Sequence, residues 1–219
     1  MTSFPIGVVS NAQPWTGAAS ASISYTATST NTNNRSDYTF TSLNIGTADA
    51  SRIVAVTVYA SLSGTAQSVT IGGISATKVA SSGAVVADIW QASVPTGTTA
   101  TVFVQLSGSA GRCSVSVYRI IPGASSTAYS SDAVNASTAT ETEITGGVSI
   151  FLTVRDGSST AYTVSRNGSA LSTDQSSVYG GSSLVKIGNV SVSGSANFAA
   201  SATYSADFNA GYITIAHWR

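Results

Sequence analysis

The chain has 219 residues, of which 8% are charged, and its nine Lys and Arg are balanced by nine Asp and Glu. That length suffices for one large all-β domain with a core that needs no covalent staple, while a charge-poor chain without a basic run excludes the clustered Lys and Arg that phosphate binding requires. One cysteine, Cys113, excludes an internal disulfide framework, and one Cys with one His, His217, cannot supply a zinc site.

Residues 1–19 carry Pro5 and Pro14 and show no regular period. They are expected to form an irregular arm docked on the body or on a neighbour, with Phe4, Ile6 and Trp15 as its contact residues. The start, MTSFPIGVVSNAQPW, lacks the basic and long apolar regions of a secretory signal, and no stretch approaches the ~18 apolar residues of a membrane helix. The expectation is a chain made in a cytoplasm, with neither membrane nor nucleic acid as partner.

From residue 20 onward period-two alternation recurs, bounded by Gly, Ser, Asn and Asp, and helical spacing is nearly absent. It predicts strands over 20–28, 37–45, 51–61, 67–71, 74–80, 84–93, 99–107, 112–121, 147–155, 160–165, 182–192, 196–205 and 211–218. STNTNNRS (29–36) reads as a polar loop, and 122–140 as a strand-poor break. Segments 53–60 (IVAVTVYA) and 148–154 (VSIFLTV) are apolar on both faces, which predicts central positions in their sheets. TIGGIS (70–75) predicts a tight hairpin through Gly72 and Gly73, where positive φ is sterically free.

Three runs predict their facing. In VPTGTTATVFVQLSG (94–108) a Pro-Gly turn precedes alternation that sends Val102, Val104 and Leu106 inward and Thr101, Phe103 and Gln105 outward, or the reverse at an edge. Phe103 is therefore a further candidate for partner contact. In RCSVSVYRI, Cys113, Val115 and Val117 share one face and Arg112, Ser114, Ser116 and Tyr118 the other. In the last strand Ile213, Ile215 and His217 lie together, opposite Tyr212, Thr214 and Trp218. Helix-free antiparallel strands of this number bury one face each by closing into a barrel or by stacking two sheets about 10 Å apart, and the strand count and length favour the latter. The expected fold is an all-β, antiparallel, jelly-roll-like β-sandwich, a single domain over 20–219.

Candidate chemistry is sparse. His217 would need a nucleophile and a carboxylate to converge on it. Cys113, between valines, reads as a small buried hydrophobe. Glu141 and Glu143 share a face of an extended segment, without the Asp-rich loop of a Ca²⁺ site. Trp90 and Trp218 have apolar neighbours that point to a core rather than a sugar platform. No catalytic, cofactor or metal residue is assigned.

The segments DYTFTSLNIGTADASRIVAVTVYA, SVTIGGISATKVAS and ADIWQASVPTGTTATVFVQLSGSAGRCSVSVYRI together resemble a family of β-sandwich proteins encoded by tailed bacteriophages and prophages. The shared features are Ile45-Gly46-Thr47, the hairpin from Val69 to Ala76, the turn from Val94 to Thr98, the strand from Arg112 to Tyr118, and the closing ITIAHWR. The resemblance spans residues 37–219 and implies a non-enzymatic virion component with no cofactor. Its leading form is a capsid decoration protein that stabilises the shell through the major capsid protein, as a homo-oligomer such as a trimer. The alternative is a tail-tip or tail-fibre-associated module that recognises host surface polysaccharide. An esterase or glycosidase would instead require His217 exposed in a cleft beside a carboxylate.

Overall fold

The computed structural model describes residues 20–134, 138–143, 146–156, 162–166, 169–179, 185–193, 198–204 and 210–219. The arm, with Phe4, Ile6 and Trp15, lies outside the described residues. Among the described residues every regular element is a strand and every pairing is antiparallel. In chain order the strands are β1 (Ser22–Asn31), β2 (Arg35–Asn44), β3 (Ile53–Ser63), β4 (Ser68–Ile71), β5 (Ile74–Ser75), β6 (Thr77–Ser81), β7 (Val85–Ser93), β8 (Thr99–Ala110) and β9 (Cys113–Ile121). They continue as β10 (Ser130–Val134), β11 (Thr138–Glu143), β12 (Val148–Asp156), β13 (Tyr162–Arg166), β14 (Ser169–Ala170), β15 (Gln175–Tyr179), β16 (Val185–Ser193), β17 (Phe198–Tyr204) and β18 (Ala210–Trp218).

Where the alternation pattern anticipates two stacked sheets, the chain makes four. Sheet A has the order β1-β9-β3-β7-β6, sheet B β2-β8-β4-β5, sheet C β10-β18-β12-β16-β15 and sheet D β11-β17-β13-β14. Three apolar clusters lie between successive sheets. Val54, Val56, Val58, Val115 and Val117 of sheet A meet Tyr38, Phe40, Val102 and Val104 of sheet B. On the opposite side of sheet A, Ile53, Ala55, Ile89, Tyr118 and Ile120 meet Val148, Ile150, Leu152 and Trp218 of sheet C. Phe151, Val190, Ile213 and Ile215 of sheet C meet Val164 of sheet D. The layers thus run B, A, C, D. The doubly apolar segments 53–60 and 148–154 are β3 and β12, central in the two sheets that are buried on both faces.

The two halves repeat one strand order. Pairing is nested in each: β1 with β9, β2 with β8, β3 with β7, β4 with β5. In the second half it is β10 with β18, β11 with β17, β12 with β16, β13 with β14. The repeat reaches the sequence in segments 113–119 (CSVSVYR) and 213–219 (ITIAHWR). Cys113, Val115 and Val117 face sheet B as Ile213 and Ile215 face sheet D, and Tyr118 and Trp218 both enter the cluster between A and C. Across that junction β1 meets β16 while β6 meets β10 and β18, so sheet C crosses sheet A in reversed order. A two-fold axis between equivalent sheets produces this arrangement.

Strands β10, β11, β14 and β15 fall where no strand is predicted, β10 inside the break at 122–140 and β11 across its end. All four are sheet edges. An edge strand is paired on one side only, so SSDAV, TATETE, SA and QSSVY carry little of the apolar alternation that marks a central strand. The loop expected over 29–36 shrinks likewise to a short turn, because β1 and β2 extend into it. The Gly72-Gly73 hairpin is as expected, with φ of 61° and 80° between the paired Ile71 and Ile74.

Candidate functional site

The VPTGT turn is built around a guanidinium. Arg52 precedes the central strand β3 and is 0% exposed. Its Nε donates to the Val94 carbonyl at 2.7 Å, Nη1 to Gly46 at 2.7 Å, and Nη2 to Thr96 at 2.6 Å and Gly97 at 2.9 Å, with the Ile45 carbonyl 3.5 Å from Nη1. A buried cation is expensive unless its donors are paired. Here carbonyls from two separate turns surround it. Gly46 and Gly97 both have φ of 75°, which turns their carbonyls inward at no steric cost. A Cβ on Gly46 would also stand 2.5 Å from Arg119 Cδ. The Ile45-Gly46-Thr47 and Val94–Thr98 features are therefore two walls of one structural corner. The sequence signal for it is a lone Arg directly before a strand apolar on both faces.

Phe103 lies on the outer face of sheet B, half-buried between Thr39 and Thr70 on the neighbouring strands, while Val102, Val104 and Leu106 point into the core. The other sequence-derived contact residues, Phe4, Ile6 and Trp15, lie outside the described residues.

His217 shares the face of Ile213 and Ile215, as its alternation predicts. Its Nδ1 is 2.6 Å from Ser149 Oγ, a Ser–His contact between adjacent strands. Ser149 is 0% exposed and His217 4%, inside the space between sheets C and D. A nucleophile must reach its substrate, and this hydroxyl is covered. Among the described residues no group of three or more His, Cys, Asp and Glu side chains is placed to hold a metal ion. The Glu141 and Glu143 side chains lie outside the described residues.

Burial pushes the Cys113 thiol well above its ordinary pKa. It should resist alkylation by iodoacetamide in the folded protein and react at once in denaturant. Mass-spectrometric labelling with and without urea checks this, and rapid native labelling would place the thiol outside the core.

Trp90 and Trp218 are buried, as their apolar neighbours predict. Lys78 Nζ lies 5.0 Å from the Trp90 ring centroid and bonds Thr65 Oγ1. Thr65 and the Ala66 amide in turn donate to Asp88 Oδ2, each at 2.8 Å. Asp88 is 0% exposed, and loss of solvation raises its pKa; the same cause raises that of Asp174. A carboxyl whose pKa is higher folded than unfolded favours folding most below the ordinary carboxylate pKa, and the benefit fades as pH rises through the raised value. Asp88→Asn should therefore flatten the fall in urea midpoint as pH rises above the ordinary carboxylate range. An unchanged slope in the variant would show that Asp88 does not titrate in that window.

The junction between sheets A and C carries a polar strip beside its apolar cluster. Asn189 Nδ2 donates to Ser116 Oγ at 3.1 Å and Gln175 Oε1 at 2.7 Å, and Thr214 Oγ1 donates to the Ala87 carbonyl at 2.9 Å. The face bearing Ser116 is thus covered by the second half. Two clefts open along the junction. One, of about 280 Å³, is lined by Thr77, Val79, Gln91, Thr127, Tyr129 and Ser131 among others. Tyr129 is 49% exposed and has the Arg219 guanidinium 4.4 Å from its ring centroid. The other, of about 310 Å³, is lined by Tyr59, Leu62, Val85, Arg112 and Val185 with intervening small residues.

No family model, curated protein or solved structure matches the chain.

Proposed function

We propose that the protein is a non-enzymatic structural component of a tailed-phage particle, a capsid decoration protein that stabilises the head through the major capsid protein. The observation that carries this reading is the Arg52 corner: two of the features on which the phage resemblance rests, Ile45-Gly46-Thr47 and Val94–Thr98, hold the scaffold in shape. Four stacked sheets with a charge-poor composition suit a part that works by packing against neighbours. The nested strand pairing of each half supports reading the fold as two jelly rolls in tandem. On this reading the chain is made in the host cytoplasm, resides in the virion, joins other virion proteins as a homo-oligomer such as a trimer, and docks through the arm and Phe103.

Copy number and position in purified particles test it. Hundreds of copies on the head, by gel densitometry and labelled imaging, are expected; a handful at the tail tip would overturn it. Retention of Trp15→Ala on particles at the parental level would remove the arm from the docking surface.

A second reading, a host-recognition module that binds surface polysaccharide, draws on the cleft beside Tyr129. An exposed ring next to Thr77, Gln91, Thr127 and Ser131 offers a stacking face and hydroxyl partners suited to a neutral sugar. Glycan-array binding lost in Tyr129→Ala would favour it.

A further inference from the structure

Arg112 opens the RCSVSVY strand and plays no part in the corner that Arg52 builds. Its guanidinium carbon lies 5.6 Å from the centroid of the Tyr179 ring, whose hydroxyl is 2.6 Å from Thr30 Oγ1. The ring is therefore held by β1 and in turn fixes the plane against which the guanidinium stacks. Arg112 Nη1 is shielded from solvent, and among the described residues no acceptor reaches it. A guanidinium that is not fully paired within the protein keeps charge-assisted hydrogen bonding to offer. Arg112 lines the cleft of about 310 Å³, whose apolar walls are Tyr59, Leu62, Val85 and Val185. That volume is at the small end of the range for ligand sites.

We propose that this cleft binds a carboxylate carried on a short apolar body. The carboxylate pairs with the Arg112 guanidinium at the cleft wall, and the apolar body displaces water from Leu62, Val85 and Val185. The site is made by both halves, since Val185 begins β16 while the other wall residues belong to β3 and β7. It does not depend on the virion reading. Such a carboxylate has two sources, a free aliphatic acid or the carboxy terminus of a partner polypeptide ending in an apolar residue.

Titration of the full chain with hexanoate and with N-acetyl-leucine, followed by NMR shifts of the cleft residues, tests this. Millimolar or tighter binding is expected for at least one of them, weakened by added salt, with hexanol and hexylamine bound at least about tenfold more weakly. Tighter binding of hexanoate identifies the free acid as the source, and tighter binding of N-acetyl-leucine the polypeptide terminus. Arg112→Gln should weaken the carboxylate by at least about tenfold and Arg112→Lys by less. Val185→Trp keeps the guanidinium, fills the cleft and should abolish binding, with urea midpoints confirming that each variant is folded. Absence of binding by both acids, equal binding of hexanol, or unchanged affinity in Arg112→Gln overturns the proposal.

Discussion

Arg52→Ala is expected to lower the unfolding free energy by about 3–5 kcal/mol, as breaking a buried hydrogen-bonded charge network does. The guanidinium supplies the donors for carbonyls of Gly46, Val94, Thr96 and Gly97, and those oxygens lose their partner in one step. Arg52→Lys keeps the charge but replaces a planar fork with a single ammonium, which cannot serve acceptors on two opposed turns. It should recover less than half of the loss. Urea midpoints at constant m-value measure both, and a drop under 1 kcal/mol in Arg52→Ala would mean that the turns hold themselves.

Trp218→Ala is expected to cost a similar amount, about 3–5 kcal/mol, for a different reason. The side chain is 0% exposed within the cluster between sheets A and C, and its Nε1 donates to Gln91 Oε1 at 2.6 Å. Truncation leaves a cavity at the junction and an amide oxygen without its donor. Trp218→Phe keeps most of the packing and should lose only about 1–2 kcal/mol, chiefly the hydrogen bond. If the two variants are equally destabilised, packing is not what Trp218 contributes. Because the tryptophan bridges the halves, calorimetry of Trp218→Ala should also show a broader transition than the parent.

Much of this architecture is legible in the sequence. The facing of Val102, Val104 and Leu106, of Cys113, Val115 and Val117, and of Ile213 and Ile215 follows from alternation alone, because a residue's side of a strand is fixed by parity. The double apolar character of 53–60 and 148–154 correctly marks the sheets covered on both sides. Edge strands such as TATETE and QSSVY escape, since their pairing is held by backbone bonds that any residue can make. The number of layers escapes as well. The polar face of Ser116 gives no sign of a covering layer, because Asn189, which bonds it, comes from far along the chain. The Arg52 corner is hidden for the same reason, its acceptors being backbone oxygens of residues whose side chains are uninformative. The cleft at Arg112 depends on Val185, a second-half residue that only the junction places there.

The pairing of like halves has one more consequence. With A and C in the middle, the outer faces of B and D look in opposite directions from a single polypeptide. A dimer of one-sandwich chains would present two such faces in identical copies, and any change in one would appear in the other. Joining them in one chain frees each to vary alone. Phe103 on the B face can thus change without a matching change on the D face.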